Sequence, residues 1–312
     1  MKKNIYRLRV VCAVMLALFC TTSCNDWLEV KPKTEEEADK LFSTLDGFKS
    51  ALAGVYIGMS QTELYGREMT FGMVGVLGQE WGSGSDLSSQ YSAYSYLLNY
   101  NYEQVVSKAL IDAVWNKMYE GIANVNTLIQ YTDLKREVLG NYYGVVRGEA
   151  LALRAYMHFD LLRIYAPSLL MNPGERTFIP YVDKYPSYLS DRQTVSYCLQ
   201  HIIDDLKKAQ SILLSVDKSA SFSMESRFIQ SYNGESRFLG YRGYRMNYYA
   251  VTAELARVYL YAQKADEAYA EAKKVIDVVE SKKWFAASTS SSGFNKGNMK
   301  MMEDIIFSLY ST

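Results

Sequence analysis

The chain has 312 residues with 34 basic and 34 acidic side chains, so its formal net charge is zero. This balance excludes the strongly basic surface by which proteins bind the phosphates of nucleic acids. The length suits one large or two small domains with a real core. The composition combines 27 tyrosines with only 5 prolines, four of which fall within residues 167–186. The long proline-free tracts on either side of that cluster favour long helices.

The N-terminus has the pattern of a lipoprotein signal peptide. Basic residues precede an apolar run, residues 10–20, that is too short to span a bilayer as a helix. Small residues then lead to Cys24, which is the arrangement that a lipoprotein signal peptidase needs. We predict that residues 1–23 are removed and that Cys24 carries a lipid anchor. Cys20 is a poorer acceptor because bulky Phe19 precedes it, and an ordinary secretory signal is the alternative.

The first predicted helix follows an acidic tether. Residues 24–40 are polar, and we interpret them as the tether and the entry to a helix that begins near Thr34 or Glu35. Apolar residues recur at helical spacing over residues 38–55. Residues 58–101 lose this periodicity and are rich in glycine, serine and aromatic residues, so we predict a loop there.

Helical periodicity returns after this loop. It covers residues 109–131 and 139–165, and the second stretch is apolar on several faces, which predicts a helix buried on several sides. The proline cluster ends that helix, and another is predicted over residues 194–214. Residues 217–242 are polar and serine-rich, so we predict a second loop.

The last two predicted helices, residues 244–262 and 266–279, are joined by a tight turn. Their small and aromatic residues have the spacing of a tetratricopeptide repeat: Ala256, Tyr259, Ala268, Ala272 and Val275. One such pair is not stable alone, so several must stack. We therefore predict an all-α fold of tetratricopeptide-like helix pairs with long irregular loops, which occupies residues 41–312 and is clearest at 244–279.

The sequence carries none of the common catalytic motifs: no Walker lysine, no G-x-S-x-G, no H-E-x-x-H and no EF-hand spacing. After Cys24 it retains two histidines and a single cysteine. His158 and Cys198 lie in apolar stretches, and we predict that both are core residues. Asp204 and Asp205 are predicted to lie on a solvated helix face. We predict a protein that is not an enzyme and needs no metal or cofactor.

Several segments resemble the SusD/RagB family of nutrient-binding outer-membrane lipoproteins. They occur in the family's order along the chain: residues 24–32 (CNDWLEVKP), 115–122, 148–156 (GEALALRAY), 255–260 (LARVYL) and 303–307 (EDIIF). The last segment is similar to a short strand that follows the repeats in this family.

The resemblance implies a helical, surface-exposed lid on the outer membrane. Such a lid captures a glycan or a peptide and passes it to a TonB-dependent, SusC-like transporter. Asp26 and Glu29 are similar to the family's surface-export signal. Members of the family are usually much longer than this chain, which stops at Thr312. We therefore expect a truncated product or a fragment, with part of the ligand site missing.

The glycine-rich loop offers the chemistry of an oligosaccharide site. Sugars present flat apolar faces to aromatic rings, and their hydroxyls bind to carboxylates and amides. The predicted ligand-binding residues are Trp81, Asp86, Tyr91, Tyr94 and Tyr96. The alternative is that these aromatic residues only pack the loop onto the helices. A second alternative for the whole chain is a scaffold lipoprotein that binds protein partners alone.

Overall fold

A computed structural model describes residues 33–81, 92–186, 189–217, 228, 237–282, 285 and 302–310. The predicted signal peptide and the lipidated Cys24 lie outside the described residues, as do Asp86 and Tyr91 of the predicted ligand site. No helix among the described residues is both long enough and apolar enough to cross a membrane.

Helices dominate the described residues, and this confirms the predicted all-α, tetratricopeptide-like fold. The helices are α1 (Lys33–Leu41), α2 (Leu45–Met59), α3 (Met73–Leu77), α4 (Ser92–Leu98), α5 (Val105–Leu134), α6 (Arg136–Leu139), α7 (Tyr143–Tyr165), α8 (Val195–Asp217), α9 (Tyr248–Tyr261) and α10 (Ala265–Lys282). Two short antiparallel strands, β1 (Thr177–Ile179) and β2 (Gln193–Thr194), pair Thr177 with Thr194 and Ile179 with Gln193. Helix α1 belongs to one unit of the chain, and all elements from Phe42 onward belong to another.

Helix α7 is the central element of the larger unit. It packs against α5 and α8, while α8 also packs on α9 and α9 on α10. Buried residues occur all around α7, as its apolar pattern predicted. Gly148 allows the close approach to α8, because a Cβ atom at this position would lie 2.7 Å from the Leu213 side chain. A larger residue at Gly148 would force the two helices apart.

A buried ion pair joins α7 to α8. Arg154 donates hydrogen bonds to both carboxylate oxygens of Asp205, from Nε at 2.7 Å and from Nη2 at 2.9 Å. Tyr181 donates to the same carboxylate at 2.6 Å, and Arg154 Nη1 donates to the side-chain oxygen of Asn126 at 2.9 Å. The prediction that Asp205 lies on a solvated face is therefore wrong. The arginine that neutralises it is contributed by another helix, and no local pattern in α8 shows it.

A second buried charge network lies where α7 meets the end of α8. Arg242 donates to both carboxylate oxygens of Asp217, at 2.8 and 2.9 Å, and to Glu149 Oε1. Arg245 Nε and the hydroxyl of Tyr56 donate to Glu149 Oε2, at 3.0 and 2.7 Å. Residues 217–242 were predicted to be a polar loop, but both ends of that stretch are buried in this network. Two carboxylates and two guanidinium groups balance their charges there.

The two core predictions for His158 and Cys198 are confirmed. His158 is fully buried, its Nδ1–H donates to the Arg154 carbonyl at 2.9 Å, and its Nε2 accepts from the Val182 N–H at 3.0 Å. Burial lowers the pKa of His158 to about 3, so the imidazole is neutral at physiological pH. Burial also raises the pKa of the Cys198 thiol to about 12, which keeps that side chain protonated.

The helix pair with repeat-like spacing is present as α9 and α10. Tyr259, Ala268 and Val275 are buried between helices, as predicted from the spacing. Helix α9 begins at Tyr248, four residues later than predicted, because Asn247 caps it. The Asn247 side-chain oxygen accepts hydrogen bonds from two backbone N–H groups of the first turn, each at 3.0 Å.

Three predicted elements differ in the structure. The single helix predicted to reach residue 55 is broken after Leu41, because the Thr44 hydroxyl caps a new helix by accepting from the Gly47 N–H at 3.1 Å. The loop predicted at 58–101 contains α3 and α4, which are too short to show a helical period. The predicted strand at 303–307 instead begins in a 3₁₀ turn, Met302–Asp304, followed by irregular chain.

Candidate functional site

The predicted ligand residues lie between α2 and α5, in the part of the chain that we call the α3–α4 segment (residues 60–81 and 92–104). A buried carboxylate organises it. Glu68 Oε2 accepts from the first backbone N–H of α3, at Met73, at 3.0 Å. The Tyr94 hydroxyl on α4 donates to the same carboxylate at 2.9 Å, and Arg67 Nε donates to it at 2.7 Å. Glu68 thus holds α3 and α4 together.

Trp81 follows α3 and is fixed on the surface. Its indole Nε1–H donates to the Phe71 carbonyl at 2.7 Å, while 42% of the residue stays exposed. Gly75 makes room for this arrangement, because a Cβ atom there would lie 3.1 Å from the indole nitrogen. The polar edge of the indole is therefore satisfied within the protein. The remaining exposed surface of Trp81 is largely aromatic carbon, which can stack against an apolar ligand face.

Further exposed aromatic residues belong to the same segment. Phe71, Tyr96, Tyr100 and Tyr102 each expose a large part of their surface. Three of them, namely Phe71, Tyr100 and Tyr102, were not among the ligand residues predicted from the sequence. Their signal was the unusual density of aromatic residues in a stretch with many glycines, and nothing in that pattern distinguishes exposed rings from buried ones.

The ends of α3 and α4 are tied together by hydrogen bonds from two strained residues. Gln79 donates from its side-chain amide to the Leu98 carbonyl at 3.0 Å, and the Tyr100 hydroxyl donates to the Leu77 carbonyl at 3.5 Å. Gln79 and Tyr100 have φ values of 58° and 53°, in the left-handed region that non-glycine residues rarely adopt. Such strain persists where the surrounding structure fixes it, and it often accompanies binding sites.

The structure separates the predicted ligand residues into different environments. Trp81 and Tyr96 are partly exposed and can offer a ring to a ligand. Tyr94 is only 5% exposed, and its hydroxyl is committed to Glu68, so it has no free face for stacking. Asp86 and Tyr91 lie outside the described residues.

The described part of the segment offers stacking and hydrogen-bonding groups, not a metal site. Among the described residues, histidine, cysteine, aspartate and glutamate side chains form no group of three that could hold a metal ion. The Glu68 carboxylate is buried and holds three donors, so it is unavailable to a ligand. The segment presents five aromatic rings to solvent among its exposed polar residues.

Comparison with known proteins agrees with this architecture. The chain is 22% identical over 223 residues to SusD-like protein P38 of Formosa agariphila, which is 71% of this chain and 40% of that protein. A solved structure of a putative sugar binding protein from Bacteroides vulgatus matches with a TM-score of 0.59 and 23% identity, covering 85% of this chain and 54% of the other. A SusD superfamily protein from Bacteroides thetaiotaomicron matches with a TM-score of 0.54 and 23% identity, covering 75% and 46%.

These structural likenesses establish the fold, and the chain spans about half the length of the relatives that it matches. Residues 26–231 match a SusD-like family model that is described as starch-binding and associating with the outer membrane. Since that match covers more than half of the 312 residues, the chain belongs to the SusD-like family.

Proposed function

We propose that this protein binds carbohydrate, without catalysis, on the exposed aromatic surface of the α3–α4 segment. The observation that carries the proposal is Trp81, whose indole N–H is bound within the protein while its ring stays partly exposed. A surface tryptophan that is held in one orientation suits a pyranose ring, because stacking loses little conformational freedom. The family description and the sugar-binding name of one structural relative support the same ligand class.

Two other residues of the predicted site complete the proposal. The ring of Tyr96 on α4 supplies a second stacking surface, and its hydroxyl can form hydrogen bonds with sugar hydroxyls. The Asp86 carboxylate would accept hydrogen bonds from sugar hydroxyls, which is a common way to fix a sugar's orientation. We leave Tyr94 out of the ligand surface because its ring is buried, and we keep Tyr91 as a candidate from the sequence alone.

We further propose that the protein acts as a lipoprotein of the outer membrane. The apolar run that ends before Cys24 and the acidic Asp26 and Glu29 support lipidation and export to the cell surface. In this role the protein would deliver captured oligosaccharide to a TonB-dependent, SusC-like transporter. Metabolic labelling with a fatty acid tests the anchor: Cys24→Ala should abolish the label, and equal labelling of both proteins would reject Cys24 as the lipidated residue.

Calorimetric titration of residues 25–312 with maltohexaose tests the binding proposal. Loss of one stacked aromatic ring costs about 1 to 3 kcal/mol by analogy with base stacking, so Trp81→Ala should weaken affinity by about tenfold to more than a hundredfold. Tyr269→Ala is the matched control, because Tyr269 is an exposed aromatic residue on α10, outside the α3–α4 segment. Saturable binding that Trp81→Ala leaves unchanged would contradict the proposed surface.

A scaffold role is the second candidate function. Leu260 on α9 and Tyr269 and Ile276 on α10 are exposed apolar side chains, which are typical of protein contact surfaces. A scaffold would show no saturable binding of maltohexaose or of other oligosaccharides, and it would still bind its protein partner. A peptide-capturing role would instead show saturable binding of peptides that depends on Trp81.

A further inference from the structure

A second aromatic groove lies beside helix α2. It has a volume of about 310 Å³ and is bordered by the C-terminal half of α2 and by the chain that precedes α9. Half of its lining residues are aromatic: Tyr56, Phe238, Tyr241, Tyr244 and Tyr310. We call it the tyrosine groove. It shares no residue with the α3–α4 segment, and its volume lies at the lower end of small-molecule sites, roughly 300 to 1,000 Å³.

The floor and one wall of the tyrosine groove are fixed by the buried charge network. The Tyr56 hydroxyl donates to Glu149 at 2.7 Å and accepts from the Met246 N–H at 2.9 Å. The guanidinium of Arg245 is held by Glu149 and lies 4.1 Å from the centre of the Phe238 ring. Because these contacts are made within the protein, the groove exists without a ligand and binding need not order it.

The opposite wall is contributed by a segment distant in sequence. The Ser308 N–H donates to the Gly243 carbonyl at 2.9 Å, and the rings of Tyr244 and Tyr310 meet edge to face at 5.5 Å. Gly243 is required here, since a Cβ atom would lie 2.4 Å from the Phe228 ring. Tyr310 is thereby placed at the groove although it stays largely exposed.

Two properties of Tyr241, its backbone conformation and its exposure, distinguish the groove from a gap in the packing. Its φ of 53° lies in the left-handed region, where glycine would be free of strain and tyrosine is not. Its ring is also 40% exposed, so the ring contributes little to the core. A strained residue with an exposed ring, in the wall of a preformed groove, is typical of a residue kept for binding.

The polar groups of the groove define the ligand class. Within the described part of the chain, the hydroxyls of Tyr241, Tyr244 and Tyr310 make no hydrogen bond, so they can donate to and accept from a ligand. The charged group in the wall, Arg245, already belongs to a network with equal numbers of carboxylates and guanidinium groups. The groove therefore combines flat apolar walls, hydroxyls and no surplus charge.

We propose that the tyrosine groove is a second saccharide site, which takes one or two neutral pyranose units. Such a ligand offers an apolar ring face to the tyrosines and hydroxyls to their phenol groups. An acidic or cationic ligand would bring an unbalanced charge beside a low-dielectric network, and this disfavours both. The inference goes beyond the proposed function, because binding here needs neither Trp81 nor the α3–α4 segment.

Photo-crosslinking locates the site. Residues 25–312 are treated with maltose, cellobiose and lactose, each carrying a diazirine at the reducing end, and the labelled peptides are identified by mass spectrometry. We expect label in residues 237–248 or 302–310, competed by the unmodified neutral disaccharide and not by glucuronate. We also expect this label to persist in Trp81→Ala, which separates the groove from the proposed function.

Tyr241→Gly is the sharpest variant because it removes the ring and relieves the backbone. Loss of a stacked ring should weaken disaccharide binding at this site about tenfold or more, while the melting temperature stays the same or rises. Tyr269→Ala serves again as the control and should change neither the label nor the affinity. Absence of label from both segments with all three probes, or unchanged affinity in Tyr241→Gly, would overturn the proposal. Loss of the groove label in Trp81→Ala would overturn it as well.

Discussion

Helix α7 and the α3–α4 segment use their unusual residues in opposite ways. In α7 the exceptional residues are polar and buried: Glu149, Arg154 and His158 all lie in the core with hydrogen-bond partners. In the α3–α4 segment the exceptional residues are aromatic and partly exposed, with Trp81 as the best example. Burial, and not polarity, separates the paired charges of α7 from the aromatic residues that we propose for binding.

The physical reason is the cost of leaving a polar group buried without a partner. A charge removed from water must be neutralised and hydrogen-bonded, so every buried charge in α7 requires a partner from another element. An exposed aromatic ring has no such requirement, and it can be kept for a ligand at small cost in stability. Substitutions in α7 should therefore change stability, and those at exposed aromatic residues should change binding.

The largest expected effect is that of Glu149→Ala. Removing this carboxylate leaves the buried Arg242 and the partly buried Arg245 with fewer acceptors and the Tyr56 hydroxyl without one. Breaking a buried ion pair by deleting one partner costs about 3 to 5 kcal/mol. Urea denaturation monitored by circular dichroism should show a loss of this size in the free energy of unfolding.

An exposed ion pair supplies the control for this prediction. Glu120 accepts from Lys117 at 2.7 Å on the surface of α5, and the Glu120 side chain is 61% exposed. Because exposed pairs contribute roughly 0 to 1 kcal/mol, Glu120→Ala should have little effect. Similar losses for Glu149→Ala and Glu120→Ala would contradict the view that the α7 network stabilises the fold.

The sequence predicted the burial of α7, but it did not predict which residues would pair with the charged side chains of α7. Its apolar residues occur on several faces, and that pattern alone indicates a helix buried on several sides. The partners of Glu149 and Arg154 lie 93 and 51 residues away, and no spacing rule connects positions so far apart. For the same reason Asp205 was assigned to a solvated face, since its neighbours in α8 do not show the arginine that binds it.

The second prediction concerns pH and His158. Burial lowers the pKa of His158 to about 3, from an ordinary value near 6.5. Between these two values the unfolded chain binds a proton at this residue and the folded chain does not. Stability should therefore fall as the pH is lowered from about 6.5, by up to about 1.4 kcal/mol per pH unit for this group. His158→Gln should remove that contribution, so its stability should decline less steeply between pH 6.5 and pH 4.5.

Denaturation curves at several pH values measure this difference in slope. Phe159→Leu is a suitable control, because it alters a neighbouring buried residue that carries no titratable group. The control should lower stability by a similar amount at every pH. Parallel pH profiles for the wild-type protein and His158→Gln would show that His158 does not link folding to protonation.

The candidate site could be predicted only in part. The density of aromatic residues and glycines after α2 directed attention to Trp81 and Tyr96, which the structure leaves partly exposed, and their role in binding stays a prediction. Tyr94 is buried with its hydroxyl bound to the Glu68 carboxylate, and no sequence pattern had singled out Glu68. Helices as short as α3 and α4 also show no period, so the sides of α4 could not be assigned before the structure was known.

The smallest expected effect comes from comparing a buried and a partly exposed tyrosine within the single helix α4. Tyr94 and Tyr96 are two residues apart on α4, but the Tyr94 hydroxyl binds the buried Glu68 carboxylate and Tyr96 is partly exposed. A hydrogen bond to a charged group contributes about 1.5 to 3 kcal/mol, so Tyr94→Phe should lower the free energy of unfolding by that amount. Tyr96→Phe removes only an exposed hydroxyl, so its stability should stay within about 0.5 kcal/mol of the wild type.

In affinity for the ligand, unlike in stability, Tyr96→Phe should show the larger loss and Tyr94→Phe the smaller one. If the exposed surface of α4 contacts sugar hydroxyls, Tyr96→Phe loses a hydrogen bond of about 0.5 to 1.5 kcal/mol, which is a fall in maltohexaose affinity of roughly two- to twelvefold. Tyr94→Phe should retain its affinity under conditions in which it is folded, because its ring and hydroxyl do not reach the surface. Thermal denaturation and calorimetric titration of the two proteins together give four values. A large loss of stability in Tyr96→Phe, or a loss of affinity in folded Tyr94→Phe, would show that burial does not separate structural from binding residues in this segment.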